Sequence, residues 1–372
     1  MVQMLERVTP ASRLPRTKRA IIDCDVHCEP DNEAEVHRFL PQRWQEHLKT
    51  YGSYKFSGAG YPRYQNRRQD SFPPSGRKSG SDVDFLCKQL LDEHNIAWAV
   101  LTPLTGVGGH LNPDLDAALA SAWNDWLIAD WLDKDARFVT SMFIPFEDAE
   151  ASVAEIERRA GDRRFVQVQF SGRPREPMGR KKYWPIYAAC EKYGLAVMSH
   201  AFGSGGQPIT GAGFPSFYIE DHVGPAQSMQ ANVISLVAEG IFERFPGLKV
   251  VSAENGFGWL PSLMWRMDNS WQLMKSEAPQ LQHEPSYYIR EHFYLCTQPV
   301  EEPHRPEYFD QLLEHLGGAD RIVFASDYPH WDWDHPDHVL PARLPEAVQQ
   351  AIFYDNAARC YNLPSAPGSA EA

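Results

Sequence analysis

The sequence predicts an α/β fold: a (β/α)8 TIM barrel with long insertions after its first and fifth strands. Three observations carry this reading. Eight short apolar runs, rich in β-branched and aromatic residues, recur along the 372 residues, as buried parallel strands do. Segments of helical periodicity separate them, and such alternation implies a parallel sheet with right-handed crossovers. Three of the runs end on residues that bind divalent metals, and barrel enzymes gather their catalytic side chains from the ends of several strands.

The elements follow in order. The first run, Ala20-Ile21-Ile22-Asp23-Cys24, delivers Asp25-Val26-His27. The second, third and fourth cover 98–102, 138–144 and 165–170. The fifth, Leu195 to Ser199, delivers His200; the sixth and seventh cover 249–253 and 293–296; the eighth, Arg321 to Ser326, delivers Asp327. Helices are expected over 114–132, started by Asn112-Pro113, over 147–160, and over 183–193, stopped at Gly194. Further helices are expected over 233–245, 260–274, 307–316 (stopped at Gly317-Gly318) and 344–354. Residues 28–81 and 201–228 exceed ordinary loop length, which marks lids, binding loops or subunit contacts. The first is read as an insertion and the second as an active-site loop. Residues 1–19 read as an N-terminal tail and 365–372 as a flexible one, so that 1–372 forms a single barrel domain.

Composition narrows the function. A barrel needs roughly 250 residues, and insertions commonly add a hundred or more. The net charge of −13 argues against a nucleic-acid partner, which would demand a basic stripe. No run approaches the roughly 20 apolar residues of a membrane span, and the basic first nineteen residues hold no apolar signal core. Six cysteines, at 24, 28, 87, 190, 296 and 360, form no C-x-x-C pair and read as buried thiols of a cytoplasmic protein.

Asp25 and His27 stand two apart, so a strand would point both to one face, the lumen at a barrel mouth. His200 and Asp327 join them from the fifth and eighth runs. Two imidazoles and two carboxylates make a mixed nitrogen–oxygen site for one divalent ion per chain, Zn²⁺ or Mn²⁺. Each motif alone has a plainer reading as a core histidine or a turn-forming aspartate. Their joint placement at three strand ends favours the metal.

Asp25-x-His27, His200 and Ser326-Asp327-Tyr328-Pro329-His330 resemble the amidohydrolase-related family that includes aminocarboxymuconate semialdehyde decarboxylase and γ-resorcylate decarboxylase. The segments 240–249 and 258–268 and the closing Asp355-Asn356-Ala357-Ala358-Arg359 extend the resemblance over roughly 20–363. The resemblance implies a mononuclear metal on Asp25, His27, His200 and Asp327, in an enzyme that is often a dimer or larger. Many relatives carry a histidine after the sixth strand that activates water or moves a proton. This chain has Ala253-Glu254-Asn255-Gly256 there, leaving either Glu254 as an acid/base or Asn255 as an orienting group.

The expected activity is non-oxidative decarboxylation of a small aromatic or ring-derived carboxylic acid. Asp327 would protonate the ring carbon as CO₂ leaves. The alternative is hydrolysis of an amide, ester or C–C bond by metal-activated water. Catalytic candidates are Asp327, Glu254 and His222. Substrate-binding candidates are Arg63, Phe257, Trp259 and His330, with Phe202, Phe214, Phe217 and Tyr218 as further loop aromatics.

Overall fold

The computed structural model describes residues 19–52, 66–105, 107–201, 208, 211 and 213–364. Eight parallel strands form one sheet in sequence order: β1 Ile21–Val26, β2 Ile96–Leu101, β3 Phe138–Phe143, β4 Phe165–Ser171, β5 Ala196–His200, β6 Val250–Ala253, β7 Phe293–Cys296 and β8 Ile322–Val323. The ring closes through the chain beyond β8. Cys24 N donates to Phe324 O at 2.9 Å, Asp327 N to Asp25 O at 3.1 Å, and His27 N to Tyr328 O at 2.7 Å. Only two residues of the eighth run are regular strand, because past Val323 it pairs with β1 irregularly.

Two apolar layers hold the barrel. Ile22, Cys24, Val100, Val139, Val166, Met198, Val251 and Val323 fill the interior and are capped by Tyr354, Ala357 and Tyr361 near the C-terminus. The alternate residues, among them Leu101, Met142, Val197 and Phe293, pack outward against the helices. This is the alternation expected of a barrel strand.

Most helices lie where periodicity placed them, including Pro113–Leu127, Ala149–Arg159, Trp184–Tyr193, Leu260–Leu273 and Pro306–Leu316. One differs. The helix expected over 233–245 begins at Pro225 and ends at Ala238, and a separate turn, Ile241–Arg244, follows Gly240 at φ 73°. Glycine accepts that left-handed conformation at little cost, so it divides what sequence periodicity joins. The expected closing helix over 344–354 runs instead from Glu346 to Tyr361, through a π-turn at Ala351–Asp355.

The insertion after β1 carries helices Ala34–His37 and Gln42–Tyr51 and returns across the mouth of the barrel. Arg68 N donates to Pro329 O at 3.0 Å and Glu29 N to Gly80 O at 2.9 Å. Gly80 is required there: a Cβ would lie 2.8 Å from His27 O, and its φ is +76°. The tails expected at 1–19 and 365–372 lie outside the described residues except for Arg19, as do 53–65 and most of 202–212. Among the described residues no helix is long and apolar enough to cross a membrane.

Candidate metal centre

Local backbone irregularities aim the site. Ile22 and Cys24 face the barrel interior, so strict alternation would send Val26 inward and Asp25 outward. The β1–β2 register shifts between Asp23 and Val26, and Val26 packs in the outer layer instead. A bulge of this kind re-aims side chains beside active sites, and here it turns Asp25 and His27 toward the mouth. Glu254 and Asp327 occupy left-handed backbone at φ 55° and 61°, which costs a non-glycine residue about 1–2 kcal/mol. Such strain persists where surrounding structure enforces it, often at functional sites. At β6 it brings Glu254 into the site. Asn255 bonds the scaffold instead, its amide donating to Ala253 O at 2.7 Å and Ser199 O at 3.3 Å.

Asp25, His27, His200 and Glu254 are all buried and offer ligand atoms within 4.8 Å of one another, as do His27, Glu254, Asp327 and His330. His27 Nε2 lies 3.6 Å from Asp25 Oδ1, 3.3 Å from Glu254 Oε1 and 2.8 Å from Asp327 Oδ1. His200 Nε2 lies 3.3 Å from Asp25 Oδ2 and 3.5 Å from Glu254 Oε1. His27 Nδ1 donates to Thr102 O at 2.5 Å, and because a carbonyl only accepts, this bond leaves the Nε2 lone pair for the cluster. Asp25 Oδ1, His27 Nε2 and Glu254 Oε2 are buried without a hydrogen bond among the described residues. Buried polar atoms are rarely left so, and a divalent cation would satisfy all three. The residues present therefore fit a metal of the Zn²⁺ or Mn²⁺ type.

Charge follows the same geometry. Burial lowers the His27 imidazole, but Asp25, Asp327 and Glu254 outweigh it and lift it well above the ordinary histidine value. His200 is likewise raised, by Glu254 and Asp25 against burial. Burial pushes the Asp327 carboxyl up, with His27 opposing. His330, bonded through Nδ1 to Asp327 Oδ1, is driven well below its usual value by burial and by the neighbouring His27 and Arg67. Asp23 lies beneath the site and accepts from Ser326 N at 2.9 Å and Asp25 N at 3.3 Å. Burial pushes its carboxyl up to about 7. It locks the β8 loop to β1 and so sets the separation of Asp327 from Asp25.

A cavity of about 200 Å³ opens beside this cluster, with Glu254, Asp327, His330, His222, Gln298 and Asp332 in its wall. His222 Nε2 lies 2.7 Å from Asp332 Oδ2. That bond raises the imidazole and, against the opposing effect of burial, holds the Asp332 carboxyl down. Gln298 Nε2 donates to the same oxygen at 3.2 Å.

Of the residues picked from sequence, Asp25, His27, His200, Glu254, Asp327 and His330 converge, and His222 shares the cavity wall with Glu254, Asp327 and His330. Phe257 does not reach it: the ring is fully buried in the outer layer, 6.4 Å from that of Phe309. Trp259 opens the 260–273 helix, donates from Nε1 to Asn255 O at 2.9 Å and is absent from the cavity wall. Arg63 and Phe202 lie outside the described residues. Asp23, Asp332 and Gln298 escaped sequence reading. For Asp23 a signal existed, since a charged residue inside an apolar run must have a buried partner.

A barrel whose strand ends bring buried histidines and carboxylates around one point is the architecture of a metal-dependent enzyme. A family profile described as Amidohydrolase matches residues 22–363; the chain belongs to that family and is an enzyme. γ-Resorcylate decarboxylase of Rhizobium sp. (strain MTP-10005) is 27% identical over 304 residues, spanning 77% of this chain and 89% of that one. 2-Amino-3-carboxymuconate-6-semialdehyde decarboxylase of Dictyostelium discoideum is 23% identical over 266 residues, 70% of each chain. The fold matches that of a dihydroxybenzoic acid decarboxylase from Polaromonas sp. JS666 solved with manganese and the inhibitor 2-nitroresorcinol, at a TM-score of 0.64 and 20% identity over 93% of this chain and 97% of that one.

Proposed function

We propose that this chain is a divalent-metal-dependent carboxy-lyase that releases CO₂ from a small aromatic acid bearing a hydroxyl beside its carboxyl. The observation that carries this is the Asp25–His27–His200–Glu254 cluster opening, with Asp327, onto a cavity sized for one ring. A cavity of about 150 Å³ accepts benzene, and the one here measures about 200 Å³. The names of the two relatives above supply the reaction class.

One cation per chain, Mn²⁺ or Zn²⁺, supplies Lewis acidity for a chelated hydroxyl and carboxylate; the manganese in the Polaromonas structure supports Mn²⁺. Asp25, His27, His200 and Asp327 would hold it, with Glu254 beside them. The Asp327 carboxyl, its proton affinity raised by burial, delivers that proton to the ring carbon bearing the carboxylate. The C–C bond then breaks, its electron pair returns to the ring and CO₂ departs. His330 orients Asp327 through the Nδ1–Oδ1 contact, and the His222–Asp332 pair in the cavity wall meets the substrate. Six free cysteines, five of them buried, support a reducing, cytoplasmic setting. Phe214, Phe217, Ile219 and Val223, exposed near the mouth, support a homo-oligomer of two or more chains.

The test is a CO₂-release screen of the Mn²⁺-loaded chain over hydroxybenzoates, alongside amides, esters and vinylogous C–C substrates. CO₂ from an ortho-hydroxy acid is the expected result. Turnover confined to the hydrolysable substrates would replace this reading with hydrolysis.

A further inference from the structure

We propose that Glu301 is a positioning residue of the site: its carboxylate grips the loop after β6 and holds Glu254 against His27 and His200. The inference rests on the metal-dependent reading of the same site. It concerns a residue that belongs neither to the cluster of ligand atoms nor to the cavity wall.

Strand β6 ends at Ala253, and the chain then turns sharply, with Glu254 at φ 55° and Gly256 at φ 60°. A left-handed glutamate persists only where its surroundings enforce it. Asn255 ties the loop to the strands below, donating to Ala253 O at 2.7 Å and Ser199 O at 3.3 Å. Glu301 ties it sideways to the loop after β7: its Oε1 accepts from Phe257 N at 2.7 Å and from Gly258 N. Two consecutive N–H groups converging on one oxygen make an anion-binding nest, and such charge-assisted bonds are about twice as strong as neutral ones. The fit is close. A Cβ on Gly256 would lie 2.7 Å from Glu301 Oε1, and one on Gly258 3.0 Å from it, so glycine at both positions is what lets the carboxylate in.

The loop held in this way begins with Glu254, whose Oε1 lies 3.3 Å from His27 Nε2 and 3.5 Å from His200 Nε2. The segment that ends in Glu301 also grips the other side of the cavity. Gln298 Nε2 donates to Asp332 Oδ2 at 3.2 Å, and Thr297 Oγ1 accepts from Ala325 N at 3.1 Å. Residues 297–301 therefore join the loops after β6 and β8 across β7, and Glu301 is the end that reaches the metal cluster, through Glu254. Its removal frees one side of the β6 loop while Asn255 keeps the other, so the fold stands and Glu254 shifts.

Cobalt(II) is the probe, because its visible ligand-field bands respond to the groups around the ion. Wild type, Glu301→Ala, Glu301→Gln and Glu301→Asp are titrated with Co²⁺, and far-UV circular dichroism is recorded on each. Glu155→Ala is the control: that buried carboxylate bonds Ser121 and Asn124 on an outer helix, so its loss destabilises the chain without touching the β6 loop. The expected result in Glu301→Ala is a loss of Co²⁺ affinity of about tenfold, as for other groups that support a metal site from outside, with shifted bands. Glu301→Gln keeps the acceptor oxygen and should stay near wild type; Glu301→Asp, one methylene short, should fall between; Glu155→Ala should keep wild-type bands. Wild-type affinity and bands in a folded Glu301→Ala overturn the inference. So does a Glu301→Gln no better than Glu301→Ala, or an equal change in Glu155→Ala, which would make the effect one of stability alone. Should Glu301→Ala prove unfolded, the other two variants decide: Glu301→Gln near wild type with Glu301→Asp altered supports the assignment, and any other pairing overturns it. A wild type that binds no Co²⁺ removes the metal-dependent reading and this inference with it. Co²⁺ bound by wild type, with bands that Glu301→Ala leaves unmoved, removes the inference alone.

Discussion

Metal binding at this site should expel protons from His27 and His200. His27 and His200 are both raised above the ordinary histidine value by the carboxylates around them. Near pH 7 the metal-free cluster therefore holds protons on Nε2 atoms that a cation must occupy, since only neutral imidazole is a ligand. Both imidazoles are pushed toward the protonated form, His27 by Asp25, Asp327 and Glu254 and His200 by Glu254 and Asp25, each against burial. The expected release is about one to two protons per metal. Each is worth about 1.4 kcal/mol per pH unit, so affinity should rise about tenfold to a hundredfold between pH 6 and 7 and level off above the raised pKa values. The sign for stability runs opposite. The two imidazolium groups stabilise the metal-free fold fully below their unfolded value of about 6.5, and that contribution fades as pH rises through the raised folded values. Bound cation then replaces it, by about 2.7 kcal/mol at a hundredfold excess over Kd. Titration calorimetry at pH 7 in two buffers of different ionisation enthalpy counts the protons. A count of zero, with affinity flat between pH 6 and 7, would refute the charge assignment.

Other consequences can be checked singly. Asp327→Asn should keep the cation and lose at least a hundredfold in kcat, with KM changed little; full activity in steady-state assays would remove Asp327 from proton transfer. Asp332→Asn removes the carboxylate charge and weakens the hydrogen bond that together raise His222, so any limb of the pH–rate profile that depends on protonated His222 should move to lower pH, and an unmoved profile argues against that role. Buried Asp116 is pushed up to about 7, although Gly108 and His110 backbone amides donate to it. Its charge therefore costs stability progressively from about pH 4 and fully above about 7. Asp116→Asn, which keeps an acceptor for Gly108, should be more stable than wild type at pH 8, by up to about 4 kcal/mol, and the gain should shrink at pH 5. Urea melts at the two pH values measure this, and a loss at pH 8 contradicts it.

How far the sequence reaches is clearest residue by residue. Strand ends were legible because apolar runs stop abruptly, and Asp25, His27, His200 and Asp327 sat at those stops. The β1 bulge was not legible: a register shift leaves no mark in hydrophobic alternation, and the two-residue spacing pointed to the lumen only because the bulge corrects it. The choice between Glu254 and Asn255 also lay beyond sequence, since a left-handed φ at a non-glycine residue is decided by its surroundings. Phe257 looked like a cavity aromatic because composition does not distinguish a ring facing substrate from one facing a helix. Asp332 escaped because its partner His222 is 110 residues away, a pairing that no local pattern encodes. The helix Pro225–Ala238 begins eight residues before the expected start although Gly224-Pro225 marks it, because the glycine- and proline-rich segment leading into it masks the onset of helical periodicity.

The most direct test of the central claim is the metal content of the purified chain, wild type beside His200→Ala, after loading with Mn²⁺ or Zn²⁺ and removal of free ion. One ion per wild-type chain, lost in the variant, is the result this account predicts. A wild-type chain that stays metal-free after loading contradicts it, and the chemistry proposed for the barrel mouth goes with it.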